Sequence, residues 1–408
     1  MSSGVWVPAE RLPPDPEDPL LTWTLLSLAW LGVVLAAVQL VALRGHLAKP
    51  WKEPGALPPI SVLKPLCGID DDLWSNLESF AALDYPEYEV LLGARDRADP
   101  AWSLAEAAEA RWPGRFRAVL QRGEAGLNPK VNQLIGLAAA SHHGVLLVSD
   151  SNVRAPAGYL RDVARHLSDP GVGLVTHPVA GAGEVTLGAA LDNLHSAAGV
   201  GPATIAAKWL SGRDVVVGKS MAFRRRDLEM LGGFESVKDV LAEDYVLGVN
   251  VSRRLGKRVA IGSMAILNVN RNRRGRDFLS RYGRWCVMQR KIAGTPVYAS
   301  QILLYPLPFA VAALASDPGA AALALALLAV GTKAVVDGVT AKALRGSGFG
   351  PQVLFLSPMK DGMFVVAFLR AFLENTVEWR GNRLRVLPGS RLERVPAPAA
   401  DGALALGR

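Results

Sequence analysis

An uncharged apolar segment near the start of the chain constrains the fold more than any other feature. Residues 21–43 read LTWTLLSLAWLGVVLAAVQLVAL and carry no charged side chain. A transmembrane helix needs about 20 predominantly apolar residues, so this segment is long enough to cross a bilayer. The acidic stretch AERLPPDPEDP precedes it, whereas a cleaved signal peptide begins with basic residues and has a shorter apolar core. We therefore expect a membrane anchor.

Basic residues follow the anchor at Arg44, His46, Lys49 and Lys52. Positive charge concentrates on the cytoplasmic side of membrane proteins, so the region after the anchor is expected in the cytoplasm. The basic stretch WRGNRLRV at 379–386 predicts a cytoplasmic C-terminal tail by the same rule. The sequence thus predicts an integral, multi-pass protein of the inner or cell membrane.

Three further apolar stretches lie late in the chain. Residues 297–315 and 319–340 predict two membrane helices, and the second contains Lys333 and Asp337 near its end, where their side chains can snorkel to the interface. The third stretch, 351–373, is interrupted by proline, lysine and aspartate. We expect it to form an interfacial or re-entrant helix.

Composition narrows the classes of partner only in part. The chain has 408 residues, half of them hydrophobic, and 45 Lys and Arg against 37 Asp and Glu give a net charge of +8. A basic surface favours nucleic acid, anionic lipid or an anionic small substrate. Cys67 and Cys286 lie far apart in sequence, so neither a disulfide framework nor a structural zinc site is expected.

Short apolar runs alternate with amphipathic segments between residues 59 and 265, which is typical of an α/β sheet. Segments 71–83 and 101–112 predict helices. Parallel strand order with right-handed crossovers is expected. The predicted strands are ISVLK (60–64), YEVLLGA (88–94), FRAVL (116–120), GVLLVSD (144–150) and VGLVTH (172–177).

Acidic residues lie at or just after the ends of two of these strands. Asp150 ends the run GVLLVSD, Asp96 follows YEVLLGA, and the pair Glu243 and Asp244 lies after a Gly-rich turn. Ligands of open α/β sheets bind outside the carboxyl ends of the strands, so acids from separate segments can converge there. Such a group suits a diphosphate bridged by Mg²⁺ or Mn²⁺, with one acid left free as a base. Each acid alone could equally be a helix cap or a solvated turn residue.

Several common motifs are absent from the sequence. GKS at 218–220 is not a phosphate loop, because that motif requires glycine where this chain has Arg213. Ser220 lies in a loose match to a nucleophile elbow, but all six histidines precede it, whereas a hydrolase of that order has its histidine later. The sequence contains no dinucleotide fingerprint and no zinc signature.

A series of motifs resembles the ceramide glucosyltransferases, membrane glycosyltransferases of the nucleotide-diphospho-sugar transferase fold (α/β, Rossmann-like, GT-A). The resemblance covers residues 59 to about 290. Its pieces are SVLKPLCGIDDDLWSNLESF, LNPKVNQL, SDSNVRAP, VVGKSMAFRR, GGFESVKDVLAEDYVLG and RYGRW. It implies an inverting enzyme that moves a sugar, glucose in the family, from a UDP-sugar to the hydroxyl of a membrane lipid such as ceramide.

The resemblance assigns roles to the acids. Asp96 is expected near the uridine or its ribose, Asp150 on the Mg²⁺ or Mn²⁺ of the donor diphosphate, and Asp244 as the base. Lys130 is expected to bind the donor. The metal motif departs from Asp-x-Asp: it reads Asp-Ser-Asn, so a second carboxylate is missing and Asn152 offers only a carbonyl oxygen.

The R-x-x-R-W motif supplies the remaining site residues. Arg284 and Trp285 are expected at the donor, because guanidinium groups fit phosphate oxygens and an indole can stack on a sugar or acceptor. Arg281, Glu243 and His195 are expected at the acceptor or in support. A basic, aromatic membrane-interface belt is the alternative for the motif.

The predicted partners are a UDP-sugar, a membrane lipid and the bilayer, with neither nucleic acid nor a partner protein. The basic patch RNRRGR at 271–276 is expected near anionic headgroups, or is a topology signal only. Two other functions stay open: a transferase for another lipid alcohol such as a hopanoid with a different sugar, and an inactive lipid-binding scaffold.

The complete prediction divides the chain into nine regions, and the tail from residue 387 onward is expected to be disordered. They are an N-terminal tail (1–20), a membrane helix (21–43), a linker (44–58), the catalytic domain (59–265), a basic interfacial segment with R-x-x-R-W (266–296), two membrane helices (297–315 and 319–340), the interfacial or re-entrant helix (351–373) and a cytoplasmic tail (374–408).

Overall fold

The computed structural model describes residues 19–50 and 52–395. The predicted N-terminal tail, apart from its last two residues, and the end of the predicted C-terminal tail lie outside these residues. The helices are α1 Pro19–Leu47, α2 Leu73–Ala81, α3 Ala101–Arg111, α4 Pro129–Ala140, α5 Tyr159–Leu167, α6 Leu187–His195, α7 Gly201–Ser211, α8 Arg225–Met230, α9 Glu243–Leu255, α10 Gly275–Ala293, α11 Thr295–Ser300, α12 Pro306–Ser316, α13 Ala320–Arg345 and α14 Val353–Leu373. The strands are β1 Ile60–Pro65, β2 Tyr88–Ala94, β3 Phe116–Leu120, β4 Val145–Ser149, β5 Val153–Arg154, β6 Val172–Thr176, β7 Val179–Ala182, β8 Ser220–Arg224, β9 Arg258–Ile261, β10 Ile266–Val269, β11 Thr376–Trp379, β12 Asn382–Val386 and β13 Leu392–Arg394.

The main sheet has seven strands in the order β3-β2-β1-β4-β8-β6-β9. All five predicted strands are in it, and β1, β2, β4 and β6 are buried along their whole length. Near-continuous apolar runs are typical of strands that are covered on both faces. The predicted helices at 71–83 and 101–112 are confirmed as α2 and α3. The predicted α/β class is therefore confirmed.

The five predicted strands are parallel to one another, as expected, but β8, which was not predicted, lies among them and runs antiparallel to both β4 and β6. The chain reaches β8 after β7, α6 and α7, and α7 ends at Gly212 in the left-handed conformation (φ 66°). This long connection returns the chain to the edge of the sheet where β4 and β6 end, so β8 enters from there. The result is that the first residues of β8 lie beside the last residues of β4.

The boundary predicted at residue 265 divides a small second sheet. In that sheet β10 lies between β5 and β7. Residues 266–269 therefore belong to the α/β region. The segment after them forms α10, a 19-residue helix that carries the R-x-x-R-W motif.

Two helices are long and apolar enough to cross a membrane, α1 and α13. They confirm helices at the predicted segments 21–43 and 319–340. The predicted helix at 297–315 is instead a bent pair, with 77° between Thr295–Leu304 and Pro306–Ser316. Tyr305 at the bend is extended, because a residue that precedes proline is disfavoured in the helical conformation and Pro306 has no N–H to donate. The described residues thus contain two candidate spans, or three if the bent pair counts as one.

The fourth segment, α14, is a continuous helix with Pro358 inside it. Its interfacial position stays a prediction. Its charged residues pair with those of α13: Lys360 Nζ lies 2.8 Å from Asp337 Oδ2, and Lys333 Nζ lies 3.8 Å from Asp361 Oδ2. Asp361 also accepts from Lys360. All four side chains are buried, so Lys333 and Asp337 form ion pairs between helices and do not snorkel.

The predicted disorder from residue 387 onward was wrong for residues 387–395. Strands β11, β12 and β13 form an antiparallel sheet, in which Val386 and Leu392 are buried. This sheet packs against the α/β region, since Leu392 donates its N–H to the carbonyl of Asp239 at 2.8 Å. Burial of these apolar side chains offsets the entropy of ordering the segment.

Candidate active site

The site is built at the carboxyl ends of β1 and β4, which are parallel neighbours. Asp150 follows β4, and Lys64 lies near the end of β1 with its side chain fully buried. Lys64 Nζ donates to the backbone carbonyl of Asp150 at 2.8 Å and to Ser149 Oγ at 3.3 Å. Burial lowers the pKa of Lys64 to about 7. Lys64 thus fixes the turn that presents the Asp150 carboxylate.

Lys130 joins three segments through its ammonium group. Its Nζ lies 2.9 Å from Asp150 Oδ1 and 3.1 Å from Glu243 Oε1, and it donates to the carbonyl of Gly218 at 2.8 Å. The side chain is placed by the start of α4, where Asn128 caps the helix by accepting from the N–H of Lys130. Burial alone would lower the pKa of Lys130, but Asp150 and Glu243 raise it well above its usual value.

The carboxylate of Asp150 also pairs with a second ammonium group, that of Lys219. Lys219 Nζ lies 3.1 Å from Asp150 Oδ2 and 2.9 Å from Asn152 Oδ1. Burial alone would raise the pKa of Asp150, but Lys130 and Lys219 hold it well below its usual range. Burial lowers the pKa of Lys219, while Asp150 acts in the opposite direction. Asp150 is therefore an anion held between two ammonium groups.

Asp244 occupies the first turn of α9, next to Glu243. Its Oδ2 accepts the N–H of Gly218 at 2.7 Å, and a Cβ at Gly218 would lie 2.9 Å from the same oxygen, so glycine permits this close approach. Burial, together with the neighbouring charge of Glu243, raises the pKa of Asp244 to about 6. Glu243 is itself buried and bound to Lys130, so it does not face solvent. Asp150, Glu243 and Asp244 thus converge around Lys130 and Gly218.

The loop before Asp244 is held on two sides. On one side Ser390 accepts the N–H of Leu241 on its carbonyl at 2.8 Å and the N–H of Ala242 on its hydroxyl at 2.9 Å. On the other side Asn128 donates its side-chain N–H to the carbonyl of Val240 at 2.7 Å. The C-terminal sheet therefore helps to position the two acids of α9.

A divalent metal was expected on Asp150. Both carboxylate oxygens of Asp150 and the carbonyl oxygen of Asn152 accept from lysine ammonium groups. Within residues 19–50 and 52–395, no group of three or more His, Cys, Asp or Glu is arranged to hold a metal ion. The oxygens that a metal would use are thus occupied by cationic donors, and this arrangement does not fit a metal site.

The sequence model described as glycosyl transferase family 21 matches residues 24–392. The chain belongs to this family. Curated relatives include ceramide glucosyltransferases 3 and 1 of Caenorhabditis elegans, which are 29% and 27% identical over 57% and 64% of this chain. The matches cover 51% and 55% of those proteins, so the chain spans about half the length of the curated relatives it matches.

Similar solved structures include a mannosyltransferase from Pyrobaculum calidifontis in complex with GDP-Man and Mn²⁺. It is 18% identical, with a TM-score of 0.49 over 86% of this chain and 99% of that chain. Another is glucosyl-3-phosphoglycerate synthase from Mycobacterium tuberculosis, 17% identical with a TM-score of 0.35 over 57% of this chain and 82% of that chain. The predicted resemblance to the ceramide glucosyltransferases and the nucleotide-diphospho-sugar transferase fold are confirmed by the family match and the sheet described above.

Asp96, which the family resemblance assigned to the donor, lies apart from the cluster. Asp96 is exposed in the turn after β2, where its carboxylate accepts the N–H groups of Ala98 at 2.9 Å and Asp99 at 3.1 Å. The structure thus places it at the same edge of the sheet, in a local turn. Its contact with the uridine stays a prediction.

The three residues of the R-x-x-R-W motif have different surroundings on α10. Arg281 pairs with Asp192 at 2.8 Å and donates to Asn270 Oδ1 at 3.3 Å. Arg284 lines a separate cavity of about 260 Å³ between α10, α14 and β11, and has no hydrogen-bond or ion-pair partner among the described residues. Burial, assisted by the charge of Arg281, lowers the pKa of Arg284 to about 10. Trp285 packs edge-on against Tyr282, with ring centroids 5.4 Å apart.

His195 is buried among aromatic rings at the end of α6. Its ring stacks on Phe364 with centroids 4.8 Å apart and meets Tyr282 edge-on at 4.4 Å. Burial holds the pKa of His195 well below its usual value, so the ring is neutral near pH 7. The structure places it against α14, and it contacts none of the three convergent acids.

Three of the four arginines in the basic patch 271–276 are paired with acids, including Arg276, whose Nε lies 4.0 Å from Asp277 Oδ1. Arg271 Nη1 lies 3.1 Å from Asp72 Oδ2, and Arg273 Nη2 lies 3.8 Å from Asp70 Oδ1. Part of the positive charge of the patch is therefore paired with acidic side chains of the protein. Contact of the patch with lipid headgroups stays a prediction.

Sequence reasoning missed Lys64, Lys219 and Gly218 as members of the cluster. Lys64 follows the same rule that singled out Asp150, because it is a polar residue near the carboxyl end of a buried strand. Lys219 and Gly218 lie in the GKS stretch, which was rejected as a phosphate loop. That rejection is consistent with the structure, in which the stretch leads into β8 and not into a helix.

Proposed function

We propose that the protein is an inverting glycosyltransferase. It moves a sugar, which we propose to be glucose, from a UDP-sugar to the hydroxyl of a membrane lipid such as ceramide. The observation that carries this proposal is the cluster of Asp150, Glu243 and Asp244 around Lys130, at the sheet edge where ligands bind. The helices α1 and α13 support a membrane-bound acceptor. The names of the Caenorhabditis elegans relatives support a ceramide-like lipid.

In the proposed reaction Asp244 removes the proton from the lipid hydroxyl. The oxygen forms a bond to the anomeric carbon of the sugar as the bond to the UDP oxygen breaks, so configuration at that carbon inverts. Asp244 suits this role because its raised pKa increases its basicity while leaving it ionised at neutral pH. The negative charge that develops on the leaving diphosphate is stabilised by the ammonium groups beside Asp150.

Turnover of a UDP-sugar by purified protein in vesicles tests this proposal. We expect UDP release and a β-linked glycolipid from an α-linked donor when ceramide is present. Asp150→Ala should abolish both, whereas Asp84→Ala, which removes an exposed partner of Arg161, should leave both unchanged. Product with a different lipid alcohol alone would reassign the acceptor, and UDP-sugar binding without turnover would favour a lipid-binding scaffold.

Turnover should also depend on the ionisation of Asp244. Its pKa is raised to about 6 in the folded protein, chiefly by burial, so the carboxylate becomes protonated as the pH falls through that value. A protonated acid cannot accept the lipid proton, and we expect kcat to fall about tenfold per pH unit well below pH 6. Asp150, with its pKa held well below its usual range, stays ionised there. A kcat that is flat from pH 8 to 4.5, with the protein still folded, would contradict the base assignment.

We propose further that the α/β region lies in the cytoplasm, since Arg44 lies in the last turn of α1 and Lys49 follows the helix. The two cysteines offer a direct test, because Cys67 is exposed and Cys286 is buried. A membrane-impermeant maleimide should label inside-out vesicles and should not label intact cells. Cys67→Ser should abolish the label and serves as the control. Labelling of intact cells would contradict the proposal and would place the α/β region on the outer side of the membrane.

A further inference from the structure

Lys219 lies where a cation would be expected to act in this site. Its single ammonium group bonds to both Asp150 Oδ2, at 3.1 Å, and Asn152 Oδ1, at 2.9 Å. These are the carboxylate and amide side chains of the Asp-Ser-Asn sequence, and the Ser151 hydroxyl between them donates to Asp70. A cation that belongs to the chain therefore bridges the carboxylate and the amide.

The strand register fixes this position. In the antiparallel pair of β4 and β8, Ser149 lies opposite Ser220. The residue after Ser149 and the residue before Ser220 must then face each other, and these are Asp150 and Lys219. Ser220 is fully buried and its hydroxyl bonds to Tyr159 at 2.7 Å and to His177 at 2.9 Å, which holds the start of β8 in place. Lys219 is thus placed by the sheet itself.

Lys219 differs from Lys64 and Lys130 because it has an unused N–H donor that a ligand can reach. An ammonium group has three N–H donors. Lys130 uses all three, on Asp150, Glu243 and Gly218, and Lys64 is fully buried. Lys219 uses two and keeps 16% of its side chain exposed. Of the three lysines, only Lys219 therefore has both an unused donor and access to a ligand.

We propose that Lys219 is a tethered cation that binds the diphosphate of the donor and takes the place of a divalent metal in this protein. The proposal rests on the proposed use of a UDP-sugar. The ammonium group remains on Asp150 and Asn152 and directs its third N–H to a diphosphate oxygen. Charge-assisted hydrogen bonds of this kind are the strong ones, and no metal needs to enter the site for the donor to bind.

The test is calorimetric binding of UDP to the full-length protein in lipid nanodiscs, with EDTA and then with Mn²⁺. The wild type should bind UDP in EDTA, and Mn²⁺ should change the dissociation constant little. Lys219→Met should weaken binding in EDTA by about tenfold or more, the usual loss for a hydrogen bond to a charged group. In this variant Mn²⁺ should restore part of the affinity, because Asp150 Oδ2 and Asn152 Oδ1 are then free to accept a metal.

Lys257→Met is the matched control. Lys257 also pairs with a buried aspartate, Asp227, at 2.6 Å, and that aspartate keeps Arg224 as a second partner, as Asp150 keeps Lys130. Lys257→Met should leave UDP binding unchanged in both solutions.

Two results would overturn the proposal: a wild type that binds UDP only with Mn²⁺, or Lys219→Met that binds as tightly as the wild type in EDTA. The first comparison needs no variant, so it decides even if Lys219→Met does not fold. Because no lipid is present, an enzyme that fails to transfer sugar would contradict the proposed function without changing this result.

Discussion

Asp244→Asn is expected to lower kcat by a factor of about 10² or more, the usual contribution of a general base. Asparagine keeps the shape of the side chain and can still accept the N–H of Gly218 through its carbonyl oxygen, a bond that is 2.7 Å long in the structure. It cannot accept the proton of the lipid hydroxyl. The affinity for UDP should stay close to that of the wild type, because Asp244 is not bound to either lysine that holds Asp150.

The matched control is Asp169→Asn, which makes the same chemical change in an exposed residue paired with Arg258. It should leave kcat unchanged. A loss of UDP binding in Asp244→Asn that is proportional to the loss of rate would contradict the assignment, as would a product with an α linkage. Rate measurements at saturating donor, with UDP affinity measured separately, distinguish these results.

Asp337→Ala should destabilise the protein by about 3–5 kcal/mol, the typical cost of removing one partner from a buried ion pair. Asp337 accepts from Lys333 at 2.6 Å, from Lys360 at 2.8 Å and from Ser357 at 2.6 Å, and all of these side chains are buried. Without Asp337, two lysines would share Asp361 as their carboxylate in this group. Denaturation in detergent, followed by circular dichroism, would measure the loss.

A double variant tests whether the unbalanced buried charge causes this loss. Asp337→Leu combined with Lys360→Met removes one charge of each sign and replaces both side chains with apolar ones of similar size. Such replacements are often close to neutral, so the double variant should be more stable than Asp337→Ala. Equal losses in the two variants would show that restoring the charge balance does not restore stability, and would contradict the role assigned to these ion pairs.

The strands and the position of Asp150 could be predicted because both depend on local pattern. Buried parallel strands are short apolar runs, and a polar residue at their carboxyl end lies at the ligand-binding edge. The strand β8 was missed because its sequence, SMAFR, mixes polar and apolar residues with no clear period. Its antiparallel direction depends on a long connection, which no local pattern encodes.

Contacts between distant segments account for most of the rest. Lys219 contacts Asp150 because of the register of β4 with β8. Lys130 contacts Glu243, which lies 113 residues later in the chain. The ion pairs between α13 and α14 bury Lys333 and Asp337. The sequence had suggested that these side chains reach the membrane interface. Residues 387–395, which include β13, owe their order to partners in the α/β region, and their composition alone therefore suggested disorder.

The bonds from Ser390 to Leu241 and Ala242 have a consequence for biosynthesis. A ribosome makes the chain from its N-terminus, and Ser390 is synthesised after α13 and α14. The loop that carries Glu243 and Asp244 therefore receives its last hydrogen bonds only when both of those helices have left the ribosome. A nascent chain that has not yet made α13 and α14 lacks this support, so Glu243 and Asp244 reach their full order only after both helices have been synthesised.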